Sequence, residues 1–220
     1  MIHFQEVSKH YETHTALRKV SFSIEKAEMV FITGPSGSGK STLLKMIYLA
    51  EIPDEGNITV AEWQTNRLKE SQIAMFRRHI GVVFQDFRLL NNRNIFENVA
   101  LALRIRGVEE RELKSRVFES LKIANLRHKA DCFPQTLSGG EQQRVSIARA
   151  IVSEPMIILA DEPTGNVDPE TSEGIMKTFK DINARGSTIL IATHNRELYK
   201  HSGRRIFKLE AGNFIGEEIG

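Results

Sequence analysis

Residues 34–41, Gly-Pro-Ser-Gly-Ser-Gly-Lys-Ser, constrain what this chain can fold into more tightly than any other segment. They fit the pattern G-x-x-x-x-G-K-S without a mismatch, and both flanks agree with it. The apolar run Met29–Thr33 reads as a buried strand and residues 41–50 read as a helix. Glycines let the backbone turn its N–H groups inward around phosphate oxygens, and the N-terminal end of the following helix adds a favourable dipole. On this reading Lys40 reaches the β- and γ-phosphates of a nucleotide and the Ser41 hydroxyl ligates Mg²⁺. A Gly/Ser-rich connecting loop would match the pattern by chance in roughly one chain in a hundred of this length, and the flanking strand and helix make coincidence rarer still. The candidate nucleotide-binding residues are Gly34, Pro35, Ser36, Gly37, Ser38, Gly39, Lys40, Ser41 and Thr42.

Three more apolar runs, at 80–84, 156–160 and 188–193, have strand length and little alternation, as expected for strands buried on both faces. Helical spacing fills the stretches between them. Residues 109–125 place Leu113, Val117, Phe118 and Leu121 on one stripe, and 141–153 and 170–184 add two more helices. Strands alternating with helices predict an α/β fold with a mostly parallel core sheet. Residues 2–7 and 16–24 alternate apolar and polar instead, which predicts an N-terminal antiparallel β-subdomain. Residues 204–217 repeat that pattern, with Ala211-Gly212-Asn213 as a hairpin turn. Strand runs vanish between about 86 and 153. The expectation is one domain over 1–220, with an α/β core at 1–85 and 154–220 and an inserted helical subdomain at about 86–153.

The second half of a phosphate site is visible at Asp161-Glu162, two carboxylates delivered by the end of an apolar strand. Asp161 would hold Mg²⁺ through its water shell and Glu162 would orient or polarise an attacking water. Alone, such a pair is as often a surface feature. Beside residues 34–41 it reads as part of the site.

Other classes are disfavoured. A 40% apolar and 26% charged chain is ordinary for a globular protein, and no apolar run approaches the roughly 18 residues of a membrane span. The first ten residues contain no apolar secretory segment, so a cytoplasmic protein is expected. The net charge of +2 and the lack of a basic stripe argue against a nucleic-acid partner. Cys132, the only cysteine, fits a reducing compartment and reads as packing. His10 and His14 lie four apart in a strand-like region, so zinc ligation is not expected, and Trp63 reads as packing near the sheet.

Leu137-Ser138-Gly139-Gly140-Glu141, continuing Gln-Gln-Arg-Val-Ser-Ile-Ala-Arg-Ala, resembles the signature motif of ABC ATPases. The similarity extends in order over essentially the whole chain. It implies a P-loop NTPase of the ABC ATPase fold that hydrolyses ATP with Mg²⁺. It implies adenine stacking by Tyr11, a Q-loop role on metal and water for Gln85, a D-loop at Asp168 and a switch histidine at His194. Lys40, Gln85, Glu162 and His194 are then the catalytic candidates, and Ser41, Gln85 and Asp161 the metal candidates. The resemblance further implies that ATP is sandwiched in a homodimer, Ser138, Gly139, Gly140 and Asp168 of one copy facing the P-loop of the other.

A narrower likeness sits in Val83-Phe84-Gln85-Asp86-Phe87-Arg88-Leu89-Leu90 and Glu97-Asn98-Val99-Ala100-Leu101, supported by Ile47-Tyr48-Leu49-Ala50-Glu51 and the stretch LADEPTGN at 159–166. These resemble the cell-division group of the family. That implies an FtsX-like integral membrane partner docking near Gln85–Leu90, a position on the inner face of the cytoplasmic membrane, and activation of cell-wall hydrolases. Asn91-Asn92-Arg93-Asn94-Ile95 departs from that group's Pro- and Thr-containing stretch, and Ala61-Glu62-Trp63 lacks a glycine often found there. The lipoprotein-release and macrolide-export ATPases share LADEPTGN and are the alternative.

Overall fold

A computed structural model describes residues 1–220. The chain runs β1 (Ile2–Tyr11), β2 (His14–Ile24), β3 (Met29–Thr33), α1 (Lys40–Ile47), β4 (Glu55–Val60), β5 (Trp63–Gln64), α2 (Glu70–Arg77), β6 (Ile80–Val83), α3 (Ile95–Arg104), α4 (Glu110–Ile123), α5 (Gly139–Ile151), β7 (Ile157–Asp161), α6 (Pro169–Ala184), β8 (Thr188–Ala192), β9 (Arg205–Glu210) and β10 (Asn213–Ile219). Two sheets result. One is antiparallel, in the order β2-β1-β4-β5, and the other has the order β10-β9-β3-β8-β7-β6. In the second, β9, β3, β8, β7 and β6 are parallel and β10 returns antiparallel as the C-terminal hairpin.

The uninterrupted apolar runs are explained by burial on both sides of this sheet. Alternate residues point to opposite faces. Val30, Ile32, Ile157, Leu159, Leu190 and Ala192 join the core shared with α1 and the antiparallel sheet. Met29, Phe31, Ile158, Ala160, Ile189 and Ile191 join the core under α5 and α6. Neither face has room for a polar position, so the sequence cannot alternate.

Register places the site. Ile32 pairs Ala192, Ala192 pairs Asp161, and Ala160 pairs Val83, so β3, β8, β7 and β6 end together at one edge. The residues leaving that edge are Gly34, His194, Glu162 and Gln85. In an open parallel sheet this carboxyl edge is where ligands bind.

Between β6 and β7 lie only helices and turns, as expected, and α3, α4 and α5 share a third core around Val99, Leu103, Leu113, Val117, Leu121, Val145 and Ala148. Phe118 packs at its margin against Phe96, and Cys132 is half-buried beside it. α5 faces two ways: Val145 and Ala148 enter the helical core while Ile147, Ala150 and Ile151 enter the sheet core. It packs against both layers.

Several boundaries differ from the sequence expectation. The helix after the P-loop stops at Ile47 rather than running to residue 50, because Leu49 turns left-handed (φ 60°). β1 and β2 extend to Tyr11 and from His14, past register shifts where Glu6 and Lys19 also have positive φ and break the alternation. β4 and α2 carried no legible pattern: the first three residues of β4 are exposed, and α2 buries only Phe76. Trp63 is half-buried against Phe76 and His79, as packing.

Asn98, wholly buried on α3, fastens the loop before it. Its side-chain oxygen accepts from the Leu90 N–H (2.7 Å), and its amide donates to the carbonyls of Leu90, Arg93 and Asn94 (2.9–3.1 Å). Asn98→Leu leaves the Leu90 N–H and the Arg93 carbonyl without their partners, while the carbonyls of Leu90 and Asn94 keep the N–H groups of Arg93 and Asn98, and it is expected to cost about 1–3 kcal/mol, read by urea denaturation.

Candidate functional site

The P-loop closes because Gly34 and Gly39 reach where other residues cannot: at Gly34 a Cβ would stand 2.1 Å from the Leu209 carbonyl. Gly39 has φ 104°, and a Cβ there would stand 2.5 Å from the Ala16 carbonyl and 2.7 Å from the Leu17 side chain. The loop therefore lies against β2, and a cleft of about 440 Å³ opens above it. Residues 35–42, Gln85, Glu162 and His194 line this cleft together with His14 and Ala16. The sequence brings most of the cleft to light, but not His14 and Ala16, which carry no motif and arrive only through the β1–β2 hairpin.

Lys40 is buried, and its ammonium donates to the carbonyls of Gly34 (2.8 Å) and Pro35 (3.0 Å). Burial depresses its pKa, while Glu162 and Asp161 oppose the change. The charge is thus held within the loop by its own carbonyls and two nearby carboxylates. Asp161 shows the converse. Burial raises its pKa; the Ser41 hydroxyl beside it and the charges of Lys40 and Lys45 pull down, and Glu162 pushes up. Its Oδ1 is buried without any partner, as is Ser38 Oγ in the loop. An unpaired buried carboxylate oxygen beside a serine hydroxyl is an unfavourable arrangement unless a cation or its water shell completes it. The donor set, hard oxygens with few protein ligands, fits Mg²⁺ shared with phosphates.

Glu162 follows directly at φ 45°, a strained conformation for a non-glycine residue. Its N–H donates to Ala192 and its carbonyl accepts from Gly165, which hold the strain in place. The carboxylate is only 11% exposed; it accepts from the His194 N–H (3.1 Å), and His194 Nδ1 lies 2.8 Å from Oε1. The imidazole itself is 67% exposed and reaches over the cleft. Gln85 is exposed at the neighbouring strand end, where its carbonyl meets the Asn166 amide at 3.5 Å.

The remaining candidates lie elsewhere on the surface. Ser138 caps α5, accepting from Glu141 N–H while Glu141 accepts from Ser138 N–H (3.0 Å). Lys129 pairs with Glu141 and, with the Ser138 N–H, holds its carboxyl below the usual range. Gly140 is needed for proximity: a Cβ there would meet Thr171 Cγ2 at 2.5 Å. Asp168 caps α6 through Thr171 N–H (2.9 Å) and Thr171 Oγ1 (2.6 Å), an exposed pair that keeps its pKa low. The Ser138–Gly140 turn and the Asp168 turn thus adjoin each other and stay outside the P-loop cleft. Tyr11 is half-buried at the end of β1, stacked on His14 at 5.4 Å, beside the cleft rather than in its wall. A second cleft, of about 600 Å³, lies between α4 and the turn after α6, at the opposite end of β7 from Asp161, and contains none of these residues.

The family model described as ABC transporter matches residues 17–165, from β2 through the Glu162 turn. This chain belongs to the ABC transporter family. Within it the chain is an ATPase domain, and its fold is that of the ATP-binding cassettes. A dimeric bacterial ABC transporter cassette superposes with a TM-score of 0.93 at 39% identity, covering 100% of this chain and 98% of that one. A dimeric cassette in a post-hydrolysis state bound to ADP and Pi gives 0.92 at 38% identity, with the same coverage. Among curated relatives, the Cell division ATP-binding protein FtsE of Bacillus subtilis is 48% identical over 219 residues, 99% of this chain and 96% of the relative. The protein of the same name from Escherichia coli K12 is 45% identical over 217 residues, 98% of each.

Proposed function

We propose that this ABC ATPase is the nucleotide-driven subunit of a cell-division complex of the FtsE–FtsX type. The relatives' names motivate the biological assignment, and the buried, unpartnered Oδ1 of Asp161 beside Ser41 is the observation that carries the chemistry. ATP binds with its phosphates in the loop of Gly34–Thr42, its γ end toward Lys40, and its base toward Tyr11 and His14. Ser41, Asp161 and Gln85 hold Mg²⁺, which when bound neutralises phosphate charge and so lowers the barrier to attack. Glu162 accepts hydrogen bonds from the attacking water and orients it, and His194 holds Glu162 in place.

One copy of the chain leaves the outer side of the cleft open. The Ser138–Gly140 turn, with Ser138 exposed at a helix N-terminus and Asp168 adjoining, supplies that missing side to a second copy. Catalysis then belongs to the homodimer, and residues 86–153 move as a helical unit against the core. The partner's helix docks on the loop after Gln85. Leu89 packs inward on the helical core, while Phe87 is half-buried and Leu90 is 38% exposed, so these two are the available apolar anchors. The chain sits on the inner face of the cytoplasmic membrane through this contact, and ATP-driven closure is passed across the membrane to cell-wall hydrolases.

Co-purification with an FtsX-like membrane protein tests the assignment. Phe87→Asp is expected to reduce capture by about ten-fold or more while leaving nucleotide binding unchanged, since it places a charge in an apolar contact. Wild-type capture by a folded Phe87→Asp protein contradicts docking at this loop.

A further inference from the structure

The loop after Gln85 is held against its own backbone preference. Phe87 (φ 56°) and Arg88 (φ 49°) are consecutive non-glycine residues in the left-handed region, which L residues rarely share. Their two carbonyls accept from one guanidinium, that of Arg149 on α5: Nη2 donates to Phe87 O at 2.7 Å and Nη1 to Arg88 O. Arg149 forms no ion pair; its fork is occupied by main chain. Burial and the nearby Arg88 charge press its pKa down, Asp86 opposing, and a guanidinium nevertheless keeps its charge. Arg88 itself turns away, stacked on the Phe84 ring at 4.1 Å and paired with Asp86 at 3.1 Å.

A second fastening lies further along, where Asn98 of α3 holds Leu90, Arg93 and Asn94. The loop therefore belongs mechanically to the helical layer, although Gln85 at its start lines the P-loop cleft. α5 begins at the Ser138–Gly140 turn and carries Arg149 about 15 Å along the same rigid helix.

We propose that Arg149 is a positioning residue: its fork locks the Phe87–Arg88 turn to the helix that starts at Ser138, so that movement of this helix when two copies close on ATP carries Gln85 and the Phe87–Leu90 face with it. This builds on the functional reading above, and links the nucleotide sandwich to the docking loop by one side chain. A lysine could reach one carbonyl as a point charge but cannot present the planar fork both require.

The test uses the carbonyl that Arg149 holds. The Arg88–Leu89 bond is a tryptic site whose scissile carbonyl is Arg88 O, and cleavage requires that turn to open. In Arg149→Met, cleavage after Arg88 is expected to accelerate about ten-fold or more, with kcat for ATP falling by a similar factor and nucleotide affinity staying within about two-fold. Arg149→Lys is expected to fall between, and serves as the test if the methionine variant does not fold. Wild-type cleavage in the folded variant overturns the clamp. Faster cleavage with wild-type turnover, or affinity lost in step with turnover, overturns the positioning role. If the unmodified chain shows no turnover, the function proposed above fails, and the cleavage comparison still decides the clamp.

Discussion

Glu162→Gln is expected to lower ATP turnover by about two to four orders of magnitude while preserving nucleotide binding. The carboxylate is fixed by the backbone N–H and Nδ1 of His194, on a residue whose φ of 45° is maintained by hydrogen bonds to Ala192 and Gly165. An amide keeps the size and one acceptor, which can still take the His194 N–H, but loses the charge that polarises a water. Because Lys40, Ser41 and the P-loop are untouched, the variant should accumulate as an ATP-bound dimer in size-exclusion chromatography. Full activity would remove Glu162 from the catalytic role.

Asp161→Asn should be nearly as damaging to turnover, on the order of a thousand-fold, because on the proposed reading several kcal/mol of charge stabilisation depend on the cation it would help to hold. Its effect on the free protein has the opposite sign. Burial raises the Asp161 pKa, so its proton is bound more tightly folded than unfolded. Such a group contributes stability below its unfolded pKa and loses that contribution as pH rises through the folded value. At a pH above that folded value the nucleotide-free wild type carries an ionised carboxylate with a buried, unpartnered oxygen, and Asp161→Asn should melt higher. The difference should shrink as pH falls into the range where Asp161 protonates. Mg²⁺ competes with that proton, so apparent metal affinity should weaken on acidification from a pH above the ordinary aspartate range. A nucleotide-free variant that melts lower than wild type throughout the range above the Asp161 titration would contradict this account of the site.

The parts of the molecule legible in the sequence are those where one physical demand acts on every residue of a segment. β3, β7 and β8 are buried on both faces, so their apolar runs are unbroken; residues 34–41 must surround phosphate, so their glycines have fixed spacing. β4 and α2 were illegible because each rests on the core through few residues, Ile58 and Val60 in one and Phe76 in the other. Within the site, Gly34–Thr42, Asp161 and Glu162 could be read locally. His14 and Ala16 could not, since they reach the cleft through a hairpin from another sheet. Nor could Arg149, whose partners are main-chain carbonyls some sixty positions earlier and leave no trace in side-chain pattern. Asp168 shows a further reason: one carboxylate caps α6 and stands beside the Ser138–Gly140 turn, and only the first use is local.

The central claim is that one chain binds ATP and two hydrolyse it. It is tested most directly by ATP turnover per subunit, measured while the purified protein is diluted through its dimer dissociation range at saturating nucleotide. The P-loop cleft of a single copy lacks the Ser138–Gly140 side, so specific activity should fall with dilution and follow the dimer fraction. Turnover per subunit that stayed constant across that range would contradict it.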